Sequence, residues 1–180
     1  MTPPVSMDRY TRTAALLHWL MALLIIANIA IGLTDGKLGS LAVHKSIGLS
    51  VLALAIVRIC WRLGHRPPAL STTIGPVTRR AAMTMHHTLY GLMILVPLSG
   101  WLFVSNAPTV RPLSWFGAFS VPYLTVGRWI YAPAKTIHAA LAWGFALLAA
   151  GHILAALWHA RVERPSLLRR LDLGRPDSPA

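Results

Sequence analysis

Four apolar runs, each long enough to cross a lipid bilayer, constrain this chain more than any other feature. A spanning helix needs about 20 consecutive apolar residues, and the runs cover approximately residues 13–33, 41–63, 82–104 and 134–160. A helix satisfies its own backbone hydrogen bonds, which lipid requires of any spanning segment. The sequence therefore predicts an all-α fold, a four-helix transmembrane bundle that forms one domain over residues 1–180.

The charged residues are mostly basic, and they are distributed unevenly between the loops. The chain has 17 Lys and Arg against five Asp and Glu, and the mean hydropathy is +0.56. Cytoplasmic loops carry an excess of Lys and Arg, and placing both termini inside puts 12 of the 17 on the inner side. We therefore expect a membrane protein with both termini on the cytoplasmic side, whose basic charge reflects topology and requires no nucleic acid.

Histidines lie inside these apolar runs, where an ionisable side chain is costly and usually functional. With both termini inside, they fall into two layers by depth. The outer layer holds His44 and His138, and the inner layer holds His18 and His152, with His86, His87 and His159 close by. His138 and His152 are fourteen residues apart. This is almost four helical turns, so they share one face at a separation of about 21 Å along the axis.

Haem b is a ligand that takes one imidazole from each of two helices inside a bundle. A neutral imidazole bound to iron avoids most of the cost of a buried charge. Small residues near the histidines would admit a flat ring: Gly48, Ala139, Ala140, Gly144 and Gly151. Zinc is a weaker alternative, because it prefers a third or fourth ligand and the apolar runs contain no carboxylate. A lone histidine can also simply hydrogen-bond two helices, but two matched pairs fit that explanation poorly.

Five sequence segments together resemble the bacterial cytochrome b561 family over nearly the whole chain. They are LLHWLMALL, VHKSIGLSVLALAIVRICWRL, HHTLYGLMILVPLSGW, KTIHAALAWGFALLAAGHILAALWH and the loop SWFGAFSVP. The resemblance implies two b haems stacked across the membrane. It places the family's four iron ligands on His18, His44, His138 and His152, and depth pairs His18 with His152 at the inner haem and His44 with His138 at the outer haem. His159, on the face of His152, is the main competitor for the inner iron.

Two further residues are expected to contact cofactors at the inner level. His86 matches a third-helix histidine of the family, in the pattern H-x-x-x-Y with Tyr90, and the resemblance makes it a contact of a haem propionate or quinone, or a buried polar group, rather than a ligand. Arg58 follows His44 by fourteen residues on the same face. Its guanidinium suits a haem propionate or a quinone, and the alternative is an arginine that extends to the inner surface.

The resemblance also implies a function: electron transfer, with similar members acting as superoxide oxidases that oxidise periplasmic superoxide and reduce ubiquinone. The outer side carries five cations that would attract a small anion, namely Lys37, Lys45, Arg111, Arg128 and Lys135. Lys45 and Lys135 flank the outer histidines and are the candidate catalytic residues, unless they anchor the helices or bind propionates. The alternatives are a cytochrome b subunit that links a periplasmic dehydrogenase to the quinone pool, and a non-enzymatic haem-binding or structural bundle.

Overall fold

The fold is a bundle of four long helices, which confirms the predicted all-α class. The computed structural model describes residues 11–34, 37, 40–65 and 75–163. The helices are α1 (Arg12–Leu33), α2 (Leu41–Gly64), α3 (Pro76–Ser105) and α4 (Tyr131–Trp158). Each is long and apolar enough to cross a membrane.

Local sequence explains where these helices begin. The Thr11 hydroxyl accepts a hydrogen bond from the Ala14 N–H at 3.3 Å, and the Ser40 hydroxyl accepts one from the Val43 N–H at 3.1 Å, so both residues cap helix N-termini. Helix α3 begins at Pro76, six residues before the predicted start. Proline suits the first helical position, and the polar residues that follow it give no apolar signal.

The helices pack most extensively in the pairs α3–α4 and α1–α2, with α2 also against α3. The centre of the bundle holds Met21, Val51, Ala55, Met93 and Phe145. Large apolar side chains also point outward, as is usual for a surface that faces lipid. The bundle is therefore apolar inside and outside, and polar groups within it need specific partners.

A short hairpin in the loop between α3 and α4 is bound to the side of α2. Its strands are β1 (Ser114–Trp115) and β2 (Phe119–Ser120). The buried Ser46 hydroxyl accepts a hydrogen bond from the Phe116 N–H at 2.9 Å, and the Trp115 indole N–H donates to the Ser50 hydroxyl at 2.9 Å. The hairpin is thereby fixed beside the helix that carries His44.

Asn106, the C-cap residue that directly follows α3, fixes the other part of this loop. Its side-chain NH₂ donates to the carbonyls of Leu102 at 2.7 Å and Leu124 at 2.9 Å. Its side-chain oxygen accepts from the N–H groups of Val126 and Gly127, both at 2.9 Å. The buried amide thus uses both donors and both acceptor positions, and it holds the chain that leads into α4.

Candidate haem sites

The predicted outer histidines, His44 on α2 and His138 on α4, face each other across the bundle. Their ring centroids are 6.3 Å apart, and the ring planes meet at 84°. Two imidazoles that bind one metal ion from opposite sides have centroids about 6 Å apart, because a metal–nitrogen bond measures about 2 Å. The spacing therefore fits an iron held between the two rings.

Hydrogen bonds fix which nitrogen of each outer imidazole is available. His44 Nδ1 lies 3.1 Å from the Asn28 carbonyl oxygen, and His138 Nδ1 lies 2.9 Å from the Val96 carbonyl oxygen. A carbonyl only accepts, so each Nδ1 carries the hydrogen and each Nε2 keeps its lone pair. Histidines that bind a metal usually donate their other N–H to such a partner, and the donor chemistry therefore fits haem b.

A cavity of about 480 Å³ includes both outer histidines in its lining. Its volume falls within the range of ligand pockets, roughly 300–1,000 Å³. The lining is mostly apolar and comes from all four helices and the outer loop. Of the small residues predicted to admit a flat ring, Gly48 and Ala139 line this cavity, whereas Ala140, Gly144 and Gly151 do not.

The two candidate catalytic lysines both line the cavity, but they have different surroundings. The Lys45 ammonium donates a hydrogen bond to the carbonyl oxygen of Pro112. The neighbouring Leu113 is 4% exposed and also lines the cavity. Lys135 is exposed, and among the described residues it has no hydrogen-bond or ion-pair partner. Lys45 therefore holds the loop against the cavity, whereas no described residue engages the Lys135 ammonium.

The level predicted to be the inner one holds a cluster of three histidines from three helices. His152 on α4 and His86 on α3 are in edge contact, with ring centroids 5.3 Å apart. His18 on α1 lies within electrostatic range of both rings and of Arg58. The predicted inner pair therefore lies close to His86, which also donates from Nδ1 to its own helix at the Ala82 carbonyl, 2.8 Å away.

Arg58 is fixed beside this cluster by two hydrogen bonds. Its Nε donates to the Tyr90 hydroxyl at 2.8 Å, and its Nη1 donates to the Ala14 carbonyl at 3.3 Å. The Arg62 guanidinium carbon lies 5.7 Å from the centre of the Tyr90 ring. A guanidinium has five N–H donors, so Arg58 retains donors for an anionic group while Tyr90 sets its position.

The two remaining histidines named from the sequence are His87 and His159, and they lie on different helices. His87 is exposed on α3. His159 follows Trp158, the last residue of α4, and begins the π-helical segment His159–Glu163. Competition between His159 and His152 for the inner iron stays a prediction.

The family of the chain follows from a sequence match that covers these sites. A family model described as prokaryotic cytochrome b561 matches residues 9–171. The chain belongs to the prokaryotic cytochrome b561 family. It is therefore a bacterial membrane cytochrome of the b type, an oxidoreductase in the general sense that it transfers electrons, and haem b is the cofactor that its family implies.

Three relatives of the family show how far the similarity extends. Cytochrome b561 homolog 2 of Escherichia coli is 32% identical over 180 residues, which cover 95% of this chain and 94% of the relative. Cytochrome b561 homolog 1 of the same organism is 28% identical over 174 residues, 92% of this chain and 97% of the relative. Cytochrome b562 of Cereibacter sphaeroides is 29% identical over 174 residues, 90% of this chain and 94% of the relative.

Two glycines that were not predicted from the sequence lie against the outer imidazoles, Gly32 on α1 and Gly100 on α3. A Cβ added at either position would lie 2.9 Å from Cε1 of His44 or His138, respectively. Their position inside apolar helices could have indicated a role. Glycine in a helix interior lowers helix stability by about 1 kcal/mol relative to alanine, so it is often there because a neighbouring group packs against it. Several other glycines occur in the same runs, however, so only the packing distinguishes these two.

Proposed function

We propose that the protein is a diheme cytochrome of the inner membrane, with cytoplasmic termini, that oxidises periplasmic superoxide and reduces ubiquinone. The observation that carries the proposal is the setting of Lys135. Its exposed ammonium lies in the lining of the cavity that also includes His44 and His138. Superoxide is a small anion, and a cation at this position would attract it to the outer site.

Other cations reinforce the positive field around this cavity. Lys45 also lines it, and Arg111 lies within electrostatic range of Lys45. A cleft lined by charges of one sign raises the encounter rate of an oppositely charged substrate by about 10-fold or more. Because Lys45 is hydrogen-bonded to the loop, we assign it to this field and to the shape of the cavity, and we assign the first contact with superoxide to Lys135.

The four histidines would hold the two haems in this proposal. His44 and His138 would bind the outer iron, and His18 and His152 would bind the inner iron. Bound haem supplies one-electron oxidation and reduction of its iron. The balance of the overall reaction requires two superoxide anions, each of which loses one electron and leaves as O₂. Ubiquinone takes both electrons and two protons to form ubiquinol.

Arg58 and His86 would serve the inner level of the protein. The free N–H groups of Arg58 suit a carboxylate, because a guanidinium binds both oxygens of such a group at once. We therefore propose that Arg58 binds a propionate of the inner haem, held in place by Tyr90. His86, in contact with the His152 ring, would bind a propionate or a quinone.

A superoxide assay on the purified protein in lipid nanodiscs tests the donor. Superoxide is generated at a known rate, and haem reduction and ubiquinol formation are followed with and without ubiquinone. The proposal expects rapid haem reduction and one ubiquinol for every two superoxide anions, both suppressed by superoxide dismutase. Haems that a chemical reductant reduces but superoxide does not would overturn the donor and leave the cytochrome intact.

A further inference from the structure

We propose that Gly32 and Gly100 are positioning residues that hold the two outer imidazoles in nearly perpendicular planes. The inference rests on the proposed haem binding at the outer site. It does not depend on whether superoxide is the electron donor.

The His44 ring lies against one side of α1, between two successive turns. Asn28 supplies the carbonyl that accepts from Nδ1, and Gly32 follows four residues later, one turn along the same face. A Cβ at Gly32 would lie 2.9 Å from Cε1 and 3.3 Å from Nδ1 of this ring. The edge of the imidazole therefore occupies the space that a side chain at position 32 would fill.

The same arrangement recurs on α3 for the other outer histidine. Val96 supplies the carbonyl that accepts from His138 Nδ1, and Gly100 again follows four residues later. A Cβ at Gly100 would lie 2.9 Å from Cε1 and 3.1 Å from Nδ1 of the ring. The Ser99 hydroxyl lies 3.3 Å from the same Nδ1. Two different helices thus hold two different histidines by one device, a carbonyl at position i and a glycine at position i+4.

Together the two contacts define the plane of each ring. The hydrogen bond fixes the direction of Nδ1, and the close approach to the glycine limits rotation of the ring about that bond. Ordinary van der Waals contact with a Cβ lies at 3.4–4 Å, so a methyl group at 2.9 Å would displace or rotate the imidazole. Because α1 and α3 orient the rings separately, the angle of 84° between them is a property of the bundle.

The orientation of the two imidazole rings affects the EPR spectrum of a bound ferric haem, and this spectrum can be recorded without an activity assay. Perpendicular axial imidazoles interact about equally with two d orbitals of a low-spin ferric iron, so these orbitals stay close in energy and the EPR signal is strongly anisotropic. Parallel imidazoles separate the orbitals and give an ordinary rhombic signal. Partners of the ligating histidines are known to set ring orientation and ligand basicity, and the glycines would act through this route.

The experiment compares EPR spectra of the oxidised holoprotein for the wild type, Gly32→Ala, Gly100→Ala and the control Gly91→Ala. Gly91 is also on α3, but a Cβ added there meets nothing within 4 Å. Haem content and redox titration are measured on the same samples. We expect an unchanged outer-haem signal in Gly91→Ala. In the other two variants we expect a less anisotropic outer signal and a shifted outer potential, or loss of the outer haem alone.

The wild-type spectrum tests the inference even if both alanine variants fail to fold. A strongly anisotropic signal that disappears in His138→Ala supports perpendicular rings, whereas an ordinary rhombic outer signal overturns the inference. Outer signals and potentials identical to wild type in both glycine variants would also overturn it. A wild-type protein with no outer haem would instead contradict the proposed cofactor content, which haem analysis reports separately.

Discussion

Lys45 on α2 is hydrogen-bonded to the carbonyl of Pro112 in the outer loop, sixty-seven residues away in the sequence. The bond joins the helix that carries His44 to the loop segment that lines the outer cavity. This bond distinguishes Lys45 from Lys135, although both lysines flank a predicted outer ligand in the sequence. Lys135 has no such partner among the described residues.

Replacing Lys45 should make the loop between α3 and α4 more mobile, in addition to removing a positive charge from the cavity. In Lys45→Gln the exposed hydrogen bond from the ammonium to the loop is lost, which costs roughly 0.5–1.5 kcal/mol locally. We expect faster hydrogen exchange in residues 112–121 and a lower temperature of outer haem loss. Lys37→Gln removes an outer cation that does not line the cavity and serves as the control. Equal exchange in the two variants would show that the Pro112 contact does not stabilise the loop.

Replacing Lys135 should change the rate of superoxide oxidation without changing the structure. Lys135→Glu reverses the charge beside the cavity, so we expect about a 10-fold lower second-order rate at low ionic strength. The difference should shrink at high salt, because the Debye length falls from about 30 Å at 0.01 M to about 3 Å at 1 M. Stopped-flow haem reduction measures the rates, with Lys37→Glu as the control. An equal loss in both variants would assign the effect to overall charge.

Removing a proposed outer ligand should remove one of the two proposed haems and leave the other. His138→Ala eliminates one of the two imidazoles that face each other across the outer cavity. We expect haem content to fall from two to one per chain while the inner haem keeps its potential in a redox titration. His87→Ala, at an exposed position on α3, should retain both haems. Loss of the inner haem with retention of the outer one would reverse the assigned ligands.

Arg58 should raise the reduction potential of the proposed inner haem, because a nearby positive charge favours the reduced, less positive iron. Arg58→Gln is therefore expected to lower that potential. Tyr90→Phe, which removes the acceptor of the Arg58 Nε hydrogen bond, should lower it by less. Redox titration followed by optical spectroscopy separates the two haems. A change confined to the outer haem in both variants would contradict the inner assignment of Arg58.

Asn106 should contribute far more to stability than its neighbour Ser105. Asn106→Ala removes four part-buried hydrogen bonds to the backbone, at a cost of about 2–4 kcal/mol. Ser105→Ala is the matched control, since the buried Ser105 hydroxyl oxygen has no hydrogen-bond partner in the described part of the chain. Thermal unfolding in detergent, followed by circular dichroism, should show a large shift for Asn106→Ala and almost none for Ser105→Ala. Similar shifts would mean that the loop is held mainly by other contacts.

The number and approximate limits of the helices follow from the sequence because their cause is local. An apolar run of about 20 residues must become a helix in lipid, whatever the other helices do. The grouping of His44 with His138 was also predictable, since position along a spanning helix gives depth. The early start of α3 at Pro76 was not predicted, because its first turns are polar and leave the apolar pattern.

Tertiary structure alone decided which side chains meet at each depth. The contact of Gly100 with His138, the hydrogen bond of Lys45 to Pro112 and the ring contact of His86 with His152 all join separate helices or loops. Such contacts depend on how each helix is rotated and how closely it packs against its neighbours. Neither quantity is fixed by apolar runs, because lipid accepts an apolar surface in any direction. The sequence therefore determined the depth of each histidine, and the packing of the helices determined its partners.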